Sequence, residues 1–279
     1  MKVLITGAGG QLGSALQRVL ADREVIALTR AELDITDFDE VRAVVVAHRP
    51  SVVINCAAYT GVDLAESDEA DAFKLNADGP RNLANATAEL NIALVQVSTD
   101  YVFDGTGDRP YSESDPTNPQ SVYGRSKLAG EQFVADLNPR HYIARTAWLY
   151  HHDPANAKNF PKTMLAQSHR ESVKVVNDQH GSPTYAPHLA EAIARLVETE
   201  AYGVYHLAGR GGTSWFDLTR RLYQLFGVQT VVEPCTTDEF PRSAKRPAYS
   251  VLATNREPKI LLPPWEEGLE QFSKQVTGQ

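Results

Sequence analysis

The sequence predicts an α/β fold: a doubly wound parallel sheet with a smaller, interwoven C-terminal lobe. Three observations predict it. Lys2–Val3–Leu4–Ile5–Thr6 is a short apolar run that breaks at once into a glycine loop and then a helical pattern through Leu16, Val19 and Leu20. Continuous apolar runs of this kind mark strands buried on both faces of a parallel sheet. Strand-like and helical stretches keep alternating as far as Tyr150, which implies right-handed crossovers between parallel strands. From His151 the texture turns polar and irregular. The division expected is 1–150 as the main domain, with 181–227 returning to it in part, and 151–180 with 228–279 as the second lobe.

The first loop reads Gly7–Ala8–Gly9–Gly10–Gln11–Leu12–Gly13. Strand, glycine loop and helix in that order make a dinucleotide site. Gly7 allows the tight turn, Gly10 lets the backbone approach a pyrophosphate, and Gly13 lets the helix pack on the strand. The helix N-terminus offers amide donors and positive dipole to phosphates. The alternative is a structural turn that binds no nucleotide. The second strand is Glu24–Leu28. An NAD-specific site places an acidic residue at its end. Thr29–Arg30 stand there instead. Arg30 is either the partner of a 2′-phosphate, which favours NADP, or a solvated loop residue. Asp34–Ile35 can present a carboxylate to the adenine amino group and an aliphatic side to its ring.

A helix over Val41–Ala47 precedes the third strand, Val52–Asn55, and the small residues Ala57 and Ala58 before Tyr59 would let a cofactor cross the strand ends. Asp63–Asp71 reads as a solvated helical face, and Asn76 as a polar residue that satisfies backbone groups within a helix. Beyond the fifth strand, Tyr142–Thr146, no suitably spaced acid or cysteine accompanies His151–His152, so an exposed loop is expected there, not a metal site. Phe160–Ala166, His188–Val197 and Trp215–Phe226 read as helices; Val173–Val176, Gly203–Leu207 and Val228–Glu233 read as strands. Pro241, Pro247, Pro258, Pro263 and Pro264 predict mostly loop with short helices at the end.

Composition narrows the function classes. The net charge is −8 with no basic run, which argues against nucleic acid as a partner. Cys56 and Cys235 are the only cysteines and lie far apart, so neither a disulfide framework nor a cysteine metal site is expected. No stretch approaches the roughly 18 apolar residues of a membrane helix, and the first apolar run is too short for a signal peptide. The expectation is a soluble cytoplasmic protein with no membrane partner.

The chemistry concentrates between Val95 and Glu131. A strand, Ala93–Val97, runs into Ser98–Thr99–Asp100–Tyr101–Val102–Phe103, and a helix opens with Val122–Tyr123–Gly124–Arg125–Ser126–Lys127. Tyr123 and Lys127 share one helix face. A phenol beside a fixed ammonium is expected to titrate below its usual value. With the Thr99 hydroxyl at the strand mouth, the trio can protonate a carbonyl while another molecule supplies hydride.

Together these segments resemble the dTDP-4-dehydrorhamnose reductases, a group of extended short-chain dehydrogenase/reductases with a Rossmann-type sheet. The motifs that carry the resemblance are Gly7–Gly13, Asn55–Thr60, Ser98–Phe103, Val122–Glu131, Arg145–Trp148, Asn177–Thr184 and Arg246–Ser250. The likeness implies NAD(P)H-dependent reduction of a dTDP-linked keto sugar, NADPH with NADH possible, at the last step of dTDP-rhamnose synthesis. It implies Tyr123 as proton donor, Lys127 holding the nicotinamide ribose and lowering the phenol's pKa, and Thr99 at the reacting carbonyl. Asp100, Tyr101 and Trp148 would line the sugar site. Gly10, Gln11, Leu12, Asp34, Ile35, Ala57, Ala58 and Tyr59 would line the cofactor. One position departs from the pattern: members that hold Mg²⁺ at a dimer interface carry glutamate where this chain has Ala15. No metal is therefore expected, and a monomer or weak homodimer.

Two other readings compete. A dehydratase of this fold needs a glutamate base after Asp100, and Tyr101, with an unperturbed pKa of ~10, cannot supply one at neutral pH; an epimerase would show no net consumption of NADPH. A non-catalytic subunit resembling the regulatory subunit of methionine adenosyltransferase is the second, and an intact Thr99, Tyr123 and Lys127 set argues against it.

Overall fold

The computed structural model describes every residue except Pro154, Asn156, Ala157 and Gln279. The first half alternates as expected: β1 Lys2–Thr6, α1 Gln11–Val19, β2 Glu24–Leu28, α2 Phe38–His48, β3 Val52–Asn55, α3 Glu69–Phe73, α4 Gly79–Glu89, β4 Ala93–Thr99, α5 Val122–Leu137 and β5 His141–Thr146. The second half carries β6 Leu149–Tyr150, α6 Phe160–Leu165, β7 Ser172–Val176, β8 His180–Gly181, β9 Thr184–Tyr185, α7 Ala186–Leu196, β10 Gly203–His206, β11 Thr213–Ser214, α8 Trp215–Phe226, β12 Val231–Cys235 and α9 Trp265–Thr277.

The main sheet has six strands in the order β10-β5-β4-β3-β1-β2, all parallel. The order reverses beside β1, so the sheet is doubly wound and its ligand crevice lies outside the carboxyl ends of β1, β3 and β4. Side chains alternate across the sheet. Val3, Ile5, Ile54, Val95 and Ala144 face α1 and α7 in one core, and Leu4, Val53, Leu94 and Ile143 face α2 and α4 in the other. Burying each such large side chain stabilises the fold by roughly 1.5–3 kcal/mol. A separate core forms from Tyr150, Met164, Val173, Val175, Leu218, Leu222, Leu269 and Phe272.

Three expectations change here. The end of the chain is not mostly loop with short helices: α9 runs for 13 residues after its N-cap Pro264, because Trp265, Leu269 and Phe272 recur at helical spacing and bury against α8. The strand expected at 228–233 forms at Val231–Cys235, where it pairs in parallel with β7. His151 is not in an exposed loop but fully buried. Its ring stacks on His152, Asn159 donates to its carbonyl, and Asp153 N–H donates to its Nδ1 at 2.8 Å. Burial pushes its pKa down to about 4, so the ring is neutral. Pro154 of the same segment lies outside the described residues. Asn76 falls on a π-helical turn, Lys74–Asp78, where its amide brackets the Tyr59 backbone, accepting from N–H at 2.8 Å and donating to C=O at 3.0 Å.

Candidate active site

The strand ends open into one cleft of about 720 Å³. That is within the roughly 300–1,000 Å³ typical of small-molecule sites. One half is built on the first βα turn. Gly7 sits at φ +64°, and the Gly10 N–H closes the turn on its carbonyl at 3.0 Å. A Cβ on Gly13 would stand 2.5 Å from that same carbonyl oxygen, so any side chain there would push α1 off β1. Gly10 caps α1 without a side-chain hydrogen bond, and Gln11, Leu12 and Gly13 line the cleft. First-turn amides without a capping oxygen suit a phosphate.

Arg30, Asp34 and Ile35 line the far end of this half. The Asp34 carboxylate accepts from the N–H and hydroxyl of Thr36, each at 2.9 Å, which holds its carboxyl below the usual range. Glu32 is turned away to the N–H and hydroxyl of Thr29, both at 2.8 Å. Arg30 is thus the cationic group on the wall where β2 ends. Ala57 and Ala58 line the cleft; Tyr59 does not. Asn76 holds the Tyr59 backbone, and the phenol donates to Asp68 at 3.1 Å. The glycine turn, the uncapped α1 amides and the alanines fit a dinucleotide along the strand ends.

The other half combines β4, the turn after it and α5. β4 ends in Thr99, whose side chain caps the 3₁₀ turn Asp100–Val102 by accepting the Tyr101 N–H. The Ser121 hydroxyl caps α5 by accepting the Gly124 N–H at 3.1 Å. Gly124 lets α5 close on that turn: a Cβ there would stand 2.3 Å from the Tyr101 carbonyl oxygen. Thr99, Asp100, Tyr101, Tyr123 and Lys127 all line the cleft, so the structure brings the expected set together.

The electrostatics differ from expectation. Burial pushes the Tyr123 phenol up to about 12; a hydrogen bond with Thr99 opposes this, and the charge of Asp100 adds to it. Lys127 shares the helix face but donates its Nζ proton to the Val97 carbonyl at 2.6 Å. Burial brings its ammonium down to about 8, with Glu131 opposing. The phenol is therefore a firmly protonated group, not a depressed one. Asp100 lines the cleft, yet both its oxygens are taken, by the Thr99 hydroxyl at 3.0 Å and the Ser250 hydroxyl at 2.6 Å.

Aromatic rings form the outer wall. Tyr101 meets Tyr123 edge-on with centroids 5.5 Å apart. Trp148, at φ +47°, stacks on Trp215, which also lines the cleft. Trp215 Nε1 donates to Gln179 at 3.2 Å, and Gln179 donates to Thr237 at 3.0 Å. Sequence reading assigns no site role to Trp215, Ser250 or Gln179, although Gln179 and Ser250 stand in the Asn177–Thr184 and Arg246–Ser250 motifs; all three are far from the catalytic stretch in the chain, and only the fold places them near it. Ala15 is buried in the core under α1. Among the described residues no group of three or more His, Cys, Asp or Glu could hold a metal ion.

Comparison with known proteins places this geometry. The family model described as the RmlD substrate binding domain matches residues 1–277. A dTDP-4-dehydrorhamnose reductase of Streptomyces griseus is 43% identical, over 99% of this chain and 94% of its own. The crystal structure of a dTDP-4-dehydrorhamnose reductase from Clostridium acetobutylicum superposes with a TM-score of 0.95 at 43% identity, covering 99% of this chain and 100% of that one. One from Bacillus anthracis, solved in complex with NADP, gives 0.94 at 42%, covering 98% and 99%. The chain belongs to the RmlD substrate binding domain family, on a Rossmann-type fold.

Proposed function

We propose that this chain is an NADPH-dependent dTDP-4-dehydrorhamnose reductase, which reduces dTDP-4-dehydro-L-rhamnose to dTDP-L-rhamnose, the last step of that synthesis. The observation that carries the reading is a protonated Tyr123 beside Thr99, at the end of a cleft that opens on the Gly7–Gly13 turn. The relatives whose names state this activity, and the neighbour solved with NADP, support it.

The turn, Gln11 and Leu12 hold the pyrophosphate, Arg30 the 2′-phosphate, and Asp34 with Ile35 the adenine. Lys127 holds the nicotinamide ribose. The bound cofactor supplies the hydride. Tyr123 gives its phenolic proton to the keto oxygen as that oxygen gains charge, which is general acid catalysis. The phenol, pushed up to about 12 by burial, carries its proton at neutral pH, as an ordinary phenol also would. Lys127, charged below about 8, stabilises the phenolate left behind. Tyr101 stands where a dehydratase would need a carboxylate, and burial drives its phenol further from ionisation. Trp148 forms the sugar wall. Residues 151–180 and 228–279 act as the substrate lobe, and the enzyme works in the cytoplasm as a monomer or weak homodimer without a metal. No described helix is long and apolar enough to cross a membrane.

The test is a coupled assay with dTDP-4-keto-6-deoxy sugar, following NADPH and NADH loss and identifying the product by NMR. Tyr123→Phe should lower turnover by about 10²–10⁴-fold with near-normal NADPH binding. Wild-type turnover in that variant refutes the assignment.

A further inference from the structure

A chain of hydrogen bonds crosses from the C-terminal segment to the catalytic threonine. Ser250 is 1% exposed and donates its hydroxyl to Asp100 Oδ2 at 2.6 Å. Oδ1 of the same carboxylate accepts the Thr99 hydroxyl at 3.0 Å. Thr99 Oγ1 itself accepts the Tyr101 N–H at 3.2 Å. A hydroxyl has one proton and two lone pairs. The proton of Thr99 is committed to Asp100 and one lone pair to Tyr101. One lone pair remains, on an oxygen that lines the cleft together with Tyr123.

The far end of the chain is held in a frame of backbone bonds. Ser250 N–H donates to the His180 carbonyl at 2.7 Å, Tyr249 N–H to Gly105 at 3.0 Å and Leu252 N–H to the Ser182 hydroxyl at 3.2 Å. Arg246, four residues earlier, grips both oxygens of Asp63 at 2.9 and 2.8 Å. Ser250 thus presents its hydroxyl from a fixed point. A buried carboxylate oxygen that loses such a donor must find another, because an unpaired buried charge is costly. Its rotation would draw the Thr99 hydroxyl with it.

We propose that Ser250 is a positioning residue: through Asp100 it fixes the rotamer of Thr99, and so the hydroxyl oxygen that Thr99 presents to the cleft it shares with Tyr123. The proposal rests on the reading of Tyr123 as proton donor. It assigns the segment after Arg246 a part in turnover and not only in shaping the lobe.

A double-mutant cycle tests it. Ser250→Ala in the wild-type background is expected to lower kcat on the order of tenfold, as expected for losing a hydrogen bond to a charged group. KM for NADPH should change little, and the thermal midpoint should fall by about a few degrees. In a Thr99→Val background, which lacks both hydroxyl proton and lone pairs, the same change should cost almost nothing further, read by single-turnover rates. Should Thr99→Val leave no rate to measure, Asp100→Asn serves as the background with the same expectation. An equal fall from Ser250→Ala in both backgrounds overturns the proposal, as does an unchanged kcat in the wild-type background. If the wild-type protein reduces no dTDP-4-keto-6-deoxy sugar, the reading of the whole site fails instead; an active wild type with an additive cycle sinks this inference alone.

Discussion

The indole of Trp148 lies flat on that of Trp215, with ring centroids 3.4 Å apart and planes 5° apart. Phe160 packs against Trp215 at 4.4 Å, and Gln179 fixes the Trp215 ring nitrogen. Trp148 is therefore held by a residue 67 positions away, at the start of α8. Aromatic pairs are worth about 0.5–1.5 kcal/mol beyond their buried area. Trp215→Leu should raise KM for the sugar by roughly three- to tenfold, with the Kd for NADPH within about twofold. Unchanged sugar KM would mean that this wall does not bear on the substrate.

The alkaline limb of activity should belong to Lys127. Catalysis as proposed needs the ammonium and the phenol together. Burial brings Lys127 down to about 8, so its charge is present below that pH and lost as pH rises through it. Tyr123 keeps its proton to about 12. kcat/KM should therefore fall as pH rises through about 8, and Lys127→Arg, which does not titrate in this range, should lose that limb. A limb near 8 that persists in Lys127→Arg would assign it to another group.

Arg30 is the cationic residue on the cleft wall at the end of β2, where Glu32 is bound to Thr29. Arg30→Ala should raise KM for NADPH by about tenfold or more and leave NADH nearly unaffected, because the lost partner is the 2′-phosphate. Steady-state kinetics with each cofactor decides it. Equal effects on both would remove the phosphate role.

Glu131 and Arg145 form a buried ion pair at 2.7 Å, their side chains 4% and 6% exposed, which ties α5 to β5 beneath Lys127. Removing one partner strands the other charge out of water, at a cost of about 3–5 kcal/mol. Glu131→Ala should lower the urea midpoint accordingly, and Glu131→Leu with Arg145→Met together should recover much of the loss. A single variant as stable as wild type would show that Arg145 finds another partner.

The local features were legible in the sequence because their causes are local. A run such as Val3–Ile5 or Val52–Ile54 has the pattern of a buried parallel strand, and the Gly7–Gly13 spacing permits the turn that Gly7 adopts at φ +64°. Tyr123 and Lys127 share a face because of the helical period, and both line the cleft. The resemblance implies Tyr59 at the cofactor; in the fold Asn76 brackets its backbone and its phenol donates to Asp68.

What only tertiary structure decided is whatever depends on burial and on partners distant in sequence. The Tyr123 phenol was expected to be depressed by a neighbouring ammonium. Desolvation pushes it up instead, and Lys127 turns to the Val97 carbonyl. His151 looks like loop in the chain and is buried in the fold. Ser250 reaches Asp100 across 150 residues, and Trp215 reaches Trp148 across 67. Periodicity and turn chemistry are written in neighbouring residues, so the sequence by itself determined the sheet, the glycine turn and the tyrosine–lysine face. Solvent exclusion and long-range contact exist only once the chain has closed on itself, so the raised pKa of Tyr123 and the hydrogen bonds that meet at Asp100 belong to the structure.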